Sequence, residues 1–145
     1  MKINNKLGEN DPTLTYNNNL RHITDLTGLR VTSVLSPFTE LMKLGDTIIL
    51  PVSHGEGNII IPDQKTLEAF KANGQIPLQY LDEEGRLTNK YNGSQEGIAA
   101  LTDIYGKVLG LMPHPERSCE EGTFENIPGN KQMPIFESAH KVLKQ

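Results

Sequence analysis

Gly110-Leu111-Met112-Pro113-His114-Pro115-Glu116-Arg117 is the stretch on which this chain turns. It continues the apolar segment Lys107-Val108-Leu109-Gly110-Leu111. A strand followed by His-Pro-Glu sets an imidazole at a sheet's edge with a carboxylate two residues on. Pro113 and Pro115 restrict the backbone on both sides and hold that spacing. Read for chemistry, His114 is a general base and Glu116 its orienting carboxylate, two members of a nucleophile–base–orienter triad. Read for structure alone, the segment is a surface loop in which Glu116 pairs with Arg117.

Working outward, the pattern predicts an α/β chain dominated by strands. Leu29–Leu35 alternates Val31, Ser33 and Leu35 with Arg30, Thr32 and Val34, and Thr47–Val52 is a continuous β-branched and aliphatic run expected to be buried on both faces. His54-Gly55-Glu56-Gly57 breaks that run before a short strand over Asn58–Ile61. Asp63 is placed to cap a helix over Gln64–Ala72, with Leu67 and Phe70 on one face and Asn73-Gly74 ending it. Ile76–Leu81 reads as a strand pushed toward an edge by Pro77. Asp82–Gly85 and Asn92–Ser94 are turns, the second leading into Gly97–Leu101. Tyr105-Gly106-Lys107 turns the chain into the strand before the motif. A last helix begins near Pro134, with Ile135, Phe136, Ala139, Val142 and Leu143 as its apolar face. Residues 1–20 are rich in asparagine and read as irregular or as an edge segment. The expected total is about seven strands and two helices, few helices for a complete doubly wound domain.

Composition narrows the function classes. The 145 residues predict one domain over 1–145, and 14 basic against 18 acidic residues give a net charge of −4. No basic stripe points to nucleic acid. The longest apolar run is too short to span a bilayer, and the N-terminus lacks the apolar core of a signal peptide. One cysteine leaves no intrachain disulfide. These features fit a cytoplasmic protein.

Other candidate residues are weaker. His54 and Glu56 repeat the His-x-Glu spacing, so two such pairs could meet at a divalent metal. The alternative is a glycine-rich loop that lies near a site, with Gly55 and Gly57 supplying backbone freedom. Cys119 lies between Ser118 and Glu120-Glu121, and adjacent carboxylates raise a thiol's pKa, so it reads as a bystander. Asn92-Gly93-Ser94 lacks the lysine and glycine spacing of a phosphate-binding loop and reads as a tight turn. His22 reads as a hydrogen-bonded surface histidine and His140 as structural.

These pieces together resemble the C-terminal half of the glutaminase domain of phosphoribosylformylglycinamidine synthase, a class I (triad) glutamine amidotransferase. The matching segments occur in the family's order: Thr13–Asn18 with Arg21-His22, Leu50–Gly57, Tyr91–Ser94 with Gly97–Ala99, and Val108–Arg117. The loop Asn126–Asn130 and the last helix are most similar to the single-chain form of that synthase. The resemblance implies part of a flavodoxin-like amidotransferase sheet. It makes His114 the base and Glu116 the orienter, glutamine the substrate, and a synthetase domain or subunit the recipient of the ammonia. No cofactor is implied. The family's Gly-x-Cys-x-Gly nucleophile elbow does not occur here, and the sequence is expected to begin just after that region. Cys119 does not match the nucleophile position.

Three functions follow. The first is the glutaminase part of the synthase, inactive alone for want of the cysteine. The second is a non-catalytic subunit or interaction module that completes a split glutaminase. The third is a small metalloenzyme using His54, Glu56, His114 and Glu116. Loss of an elbow strand would expose a sheet edge, so association with a second copy or another fragment is expected.

Overall fold

The computed structural model describes Gly8, residues 11–118 and residues 133–144. Among these lie seven strands and two α-helices. In chain order they are β1 (Thr13–Thr15), β2 (Ile23–Val31), β3 (Thr47–His54), β4 (Asn58–Ile60), α1 (Gln64–Ala72), β5 (Leu78–Leu81), β6 (Ala100–Thr102), β7 (Leu109–Leu111) and α2 (Ile135–Leu143). Single 3-10 turns cover Gln95–Gly97 and Pro115–Arg117. Cys119, the loop Asn126–Asn130 and most of the asparagine-rich first ten residues lie outside the described residues.

The strands form three small antiparallel sheets, β1-β4, β3-β2-β5 and β6-β7. Register in the largest is set along the whole length of β3, from Ile23 opposite His54 to Arg30 opposite Thr47. Side chains directly opposite share a face, so Leu29 meets Ile48 and Tyr80 across neighbouring strands. Ile48, Leu50 and Val52 bury on that face with Leu29, Val31, Leu78, Tyr80 and Ile135 of α2. A second core joins Leu67 and Phe70 of α1 to Ile59, Ile61, Ile76, Ile98 and Leu101.

The sheets are linked by further backbone bonds. Ala99 donates to Leu78 on the far side of β5, Met112 donates to Ala99, and His114 donates to Pro51 of β3. A path of paired strands and single backbone bonds thus runs from β3 through β2, β5, β6 and β7 back to β3. The amide of His114 thereby covers the outer edge of β3 at Pro51, although that strand lies at the end of its sheet.

Several elements depart from the sequence expectation. β2 begins at Ile23 and stops at Val31, before Leu35, which is 74% exposed. The stop is local: the hydroxyl of Ser33 accepts from the Leu35 amide, and that of Ser36 accepts from the Phe38 amide. β5 is buried along its length because residues 98–99 and Thr88 bond its other side. On α2, Ile135 is buried as expected, but Phe136 is 75% exposed and Ser138 takes the inner position, its hydroxyl accepting from the Leu41 amide. α1 has the expected bounds, and the Asp63 carboxylate accepts from the Thr66 amide and hydroxyl.

Candidate functional site

His114 follows β7 and opens the 3-10 turn Pro115–Arg117. Its Nδ1 stands 2.7 Å from Glu116 Oε1, the imidazole half-buried and the carboxylate exposed. Arg117 Nε lies 3.8 Å from the same carboxylate oxygen, so both pairings weighed from the sequence occur on one turn. The contact through Nδ1 fixes the ring's direction. With Glu116 accepting the Nδ1 proton, Nε2 holds the lone pair and can take a proton from a reacting group.

His54, at the end of β3, is the neighbouring imidazole. It is 6% exposed, its Nδ1 lies 3.0 Å from Asn17 Oδ1, and its Nε2 is buried without a hydrogen-bond partner among the described residues. Burial first, then the positive charge available on His22 and His114, hold its pKa below the ordinary histidine value. His22 itself is exposed, as expected, and its Nε2 stands 3.0 Å from Ser53 Oγ. His140 is exposed on α2 rather than packed.

The loop after β3 is held from two directions. Asn92 Nδ2 and Ser94 Oγ both donate to the Gly57 carbonyl, at 2.6 Å and 3.1 Å. The Asn92–Ser94 turn is thus a buried brace for this loop. Asn17, which belonged to a run expected to be irregular or an edge segment, supplies the second brace through three side-chain contacts to His54 and Gly57. Sequence reasoning missed it because nothing local marks it: its partners at His54 and Gly57 are far along the chain.

The two His-x-Glu pairs do not assemble a metal site. Glu56 is exposed. Among the described residues, no group of three or more His, Cys, Asp or Glu side chains could hold a metal ion. The metalloenzyme expectation is corrected accordingly. Among the same residues, no helix is long and apolar enough to cross a membrane.

The family model of the CobB/CobQ-like glutamine amidotransferase domain matches residues 1–143. The chain belongs to this family. This amidotransferase chain is 42% identical over 128 residues to the phosphoribosylformylglycinamidine synthase subunit PurQ of Salinibacter ruber, covering 87% of this chain and 52% of that protein. It is also 42% identical over 115 residues to the subunit of the same name in Methanosarcina mazei, covering 77% of this chain and 47% of that protein. A solved structure of PurLQS from Thermotoga maritima matches with a TM-score of 0.70 at 29% identity, over 92% of this chain and 53% of that chain. The amidotransferase chain spans about half the length of the curated relatives it matches. Its strand-rich α/β architecture of small sheets is that of part of a class I glutamine amidotransferase.

Proposed function

We propose that this chain is the base-bearing part of a glutaminase that supplies ammonia to a phosphoribosylformylglycinamidine synthase in purine biosynthesis. The 2.7 Å contact between His114 Nδ1 and Glu116 Oε1 carries the reading. The relatives named as PurQ subunits support the choice of synthase.

In this mechanism a cysteine thiol gives its proton to His114 Nε2 while its sulfur attacks the carboxamide carbon of glutamine. Glu116 holds the ring and stabilises the imidazolium. The tetrahedral intermediate collapses, the C–N bond breaks, and the imidazolium returns the proton to the departing nitrogen as ammonia. Water, deprotonated by the same ring, then hydrolyses the thioester to glutamate and frees the thiol. The one cysteine of the 145 residues, Cys119, is a bystander in this reading. The nucleophile comes instead from a Gly-x-Cys-x-Gly elbow outside this sequence, and the chain alone is inactive. It works in the cytoplasm, beside a synthetase domain or subunit, and associates with the cysteine-bearing segment or with its own copy. The reading as a non-catalytic module is less well supported, because a module has no need of a paired base and orienter.

The test is ammonia release from glutamine by the purified chain, alone and mixed with a cysteine-bearing amidotransferase fragment. The expected result is no release alone, release on mixing, and loss of that release with His114→Ala. Release by the chain alone that Cys119→Ser abolishes would overturn the assignment of the nucleophile.

A further inference from the structure

Asn17 is fully buried, and its amide makes four hydrogen bonds. Nδ2 donates to the carbonyls of Arg21 and His54, both at 2.8 Å. Oδ1 accepts from the Gly57 amide at 3.1 Å and stands 3.0 Å from His54 Nδ1. Three of these partners are backbone groups whose polarity cannot change. Turning the amide over would set its NH2 against the Gly57 N–H and its oxygen against two carbonyls, so the orientation is fixed by bonding alone.

The consequence passes to the histidine. An acceptor oxygen opposite Nδ1 requires the proton to sit on Nδ1, which leaves the lone pair on Nε2. That nitrogen is buried and, among the described residues, has no hydrogen-bond partner. A second proton there would put an N–H without an acceptor in a buried place. Among the described residues, the titratable groups that act on His54 are His22, from the segment ahead of β2, and His114, from the loop after β7, both bases. Neither offers an anion to stabilise an imidazolium.

We propose that Asn17 is a positioning residue of the glutaminase site: it fixes His54 as the Nδ1-protonated tautomer and, with it, the backbone of residues 54–57 beside the His114–Glu116 pair. The catalytic half of this inference rests on the function proposed above. The tautomer does not. Keeping His54 uncharged also keeps a fixed positive charge away from His114, whose proton affinity the reaction uses.

The experiment is long-range 1H–15N NMR on the purified chain labelled at its four histidines, with His54 assigned by its loss in His54→Gln. His54 is expected to show the Nδ1–H pattern and to titrate below the ordinary imidazole midpoint. An Nε2–H pattern, or a midpoint at or above the ordinary imidazole value, overturns the lock, and this reading needs no variant of Asn17. Asn17→Asp keeps an acceptor opposite Nδ1 and adds a charge, so the His54 midpoint should rise above its wild-type value. Asn17→Ala should mix the tautomers and speed exchange of the Gly57 amide. In the enzyme assembled with the cysteine-bearing fragment, Asn17→Ala should lower kcat/KM for glutamine roughly 10- to 100-fold. An assembled enzyme that works equally well with Asn17→Ala overturns the positioning role. One that releases no ammonia even with the wild-type chain overturns the glutaminase reading and leaves the tautomer standing.

Discussion

The backbone amide of His114 donates to the carbonyl of Pro51 at 2.8 Å, so the loop that bears the imidazole is fastened to the outer edge of β3. That strand ends three residues later in His54, the second buried element of the site. The bond uses only main-chain atoms. Both ring nitrogens of His114 remain for Glu116 and for a reacting group.

Replacing Glu116 by glutamine leaves the size of the side chain and removes its charge. In the assembled glutaminase, Glu116→Gln should lower kcat about 10²- to 10⁴-fold, since the ring loses its tautomer and its counter-charge. KM for glutamine should move far less. Ammonia release at saturating glutamine checks this, and an undiminished rate would remove the pair from the mechanism.

His54 makes stability depend on acidity. Its folded pKa lies below the ordinary 6.5, so the unfolded chain takes up the proton first as pH falls. Stability should therefore decline below about pH 6.5 and level off once the folded imidazole is also protonated; above that window the residue contributes nothing. Urea midpoints measured across this range should flatten in His54→Gln. An equally steep profile in that variant would assign the dependence elsewhere.

Gly57 is required for space. A Cβ placed there would lie 2.5 Å from His54 Nδ1, on a ring that Asn17 holds in place. Gly57→Ala should destabilise the fold by about 1–3 kcal/mol in urea denaturation. Gly110→Ala, where the nearest atom is the Leu101 carbonyl oxygen at 3.8 Å, should cost less than about 1 kcal/mol.

The core and the surface of the two apolar sets should separate cleanly. Leu50 is fully buried and Phe136 is 75% exposed. Leu50→Ala should cost about 2–5 kcal/mol, whereas Phe136→Ser should change stability by less than about 0.5 kcal/mol. Comparable losses at both positions would mean that something covers Phe136 in solution.

Asp63 caps α1 through the Thr66 amide at 2.8 Å. Its carboxyl is held below the ordinary 3.8 by the Thr66 hydroxyl first and the Thr66 amide next. The cap is present above that value and is lost as pH falls through the folded pKa. Asp63→Ala should lower Tm by a few degrees at neutral pH and by less in acid.

What the sequence discloses follows the range of the forces involved. α1 is legible because its cap, its inward Leu67 and Phe70 and its Asn73-Gly74 end all act within a few residues. The His114–Glu116 contact is legible for the same reason, spanning two positions. The start of β2 is not, since Ile23–Leu26 carries little apolar pattern and becomes a strand by pairing with β3. The burial of β5 and the inward turn of Ser138 likewise depend on segments far away in the chain. Asn17 is the extreme case: its role depends wholly on a loop brought to it by the fold.

The bond from His114 to Pro51 also bears on the order in which the molecule assembles. Its two partners lie far apart in sequence, and closing so long a loop is entropically costly until other ladders have already drawn the ends together. The β2–β3, β2–β5 and β6–β7 pairings, joined by the bond from Ala99 to Leu78, draw them together. Loop-closure entropy therefore predicts that the imidazole reaches its place late, after most of the backbone has settled. On that order a partly folded chain lacks the His114–Glu116 loop seated on β3.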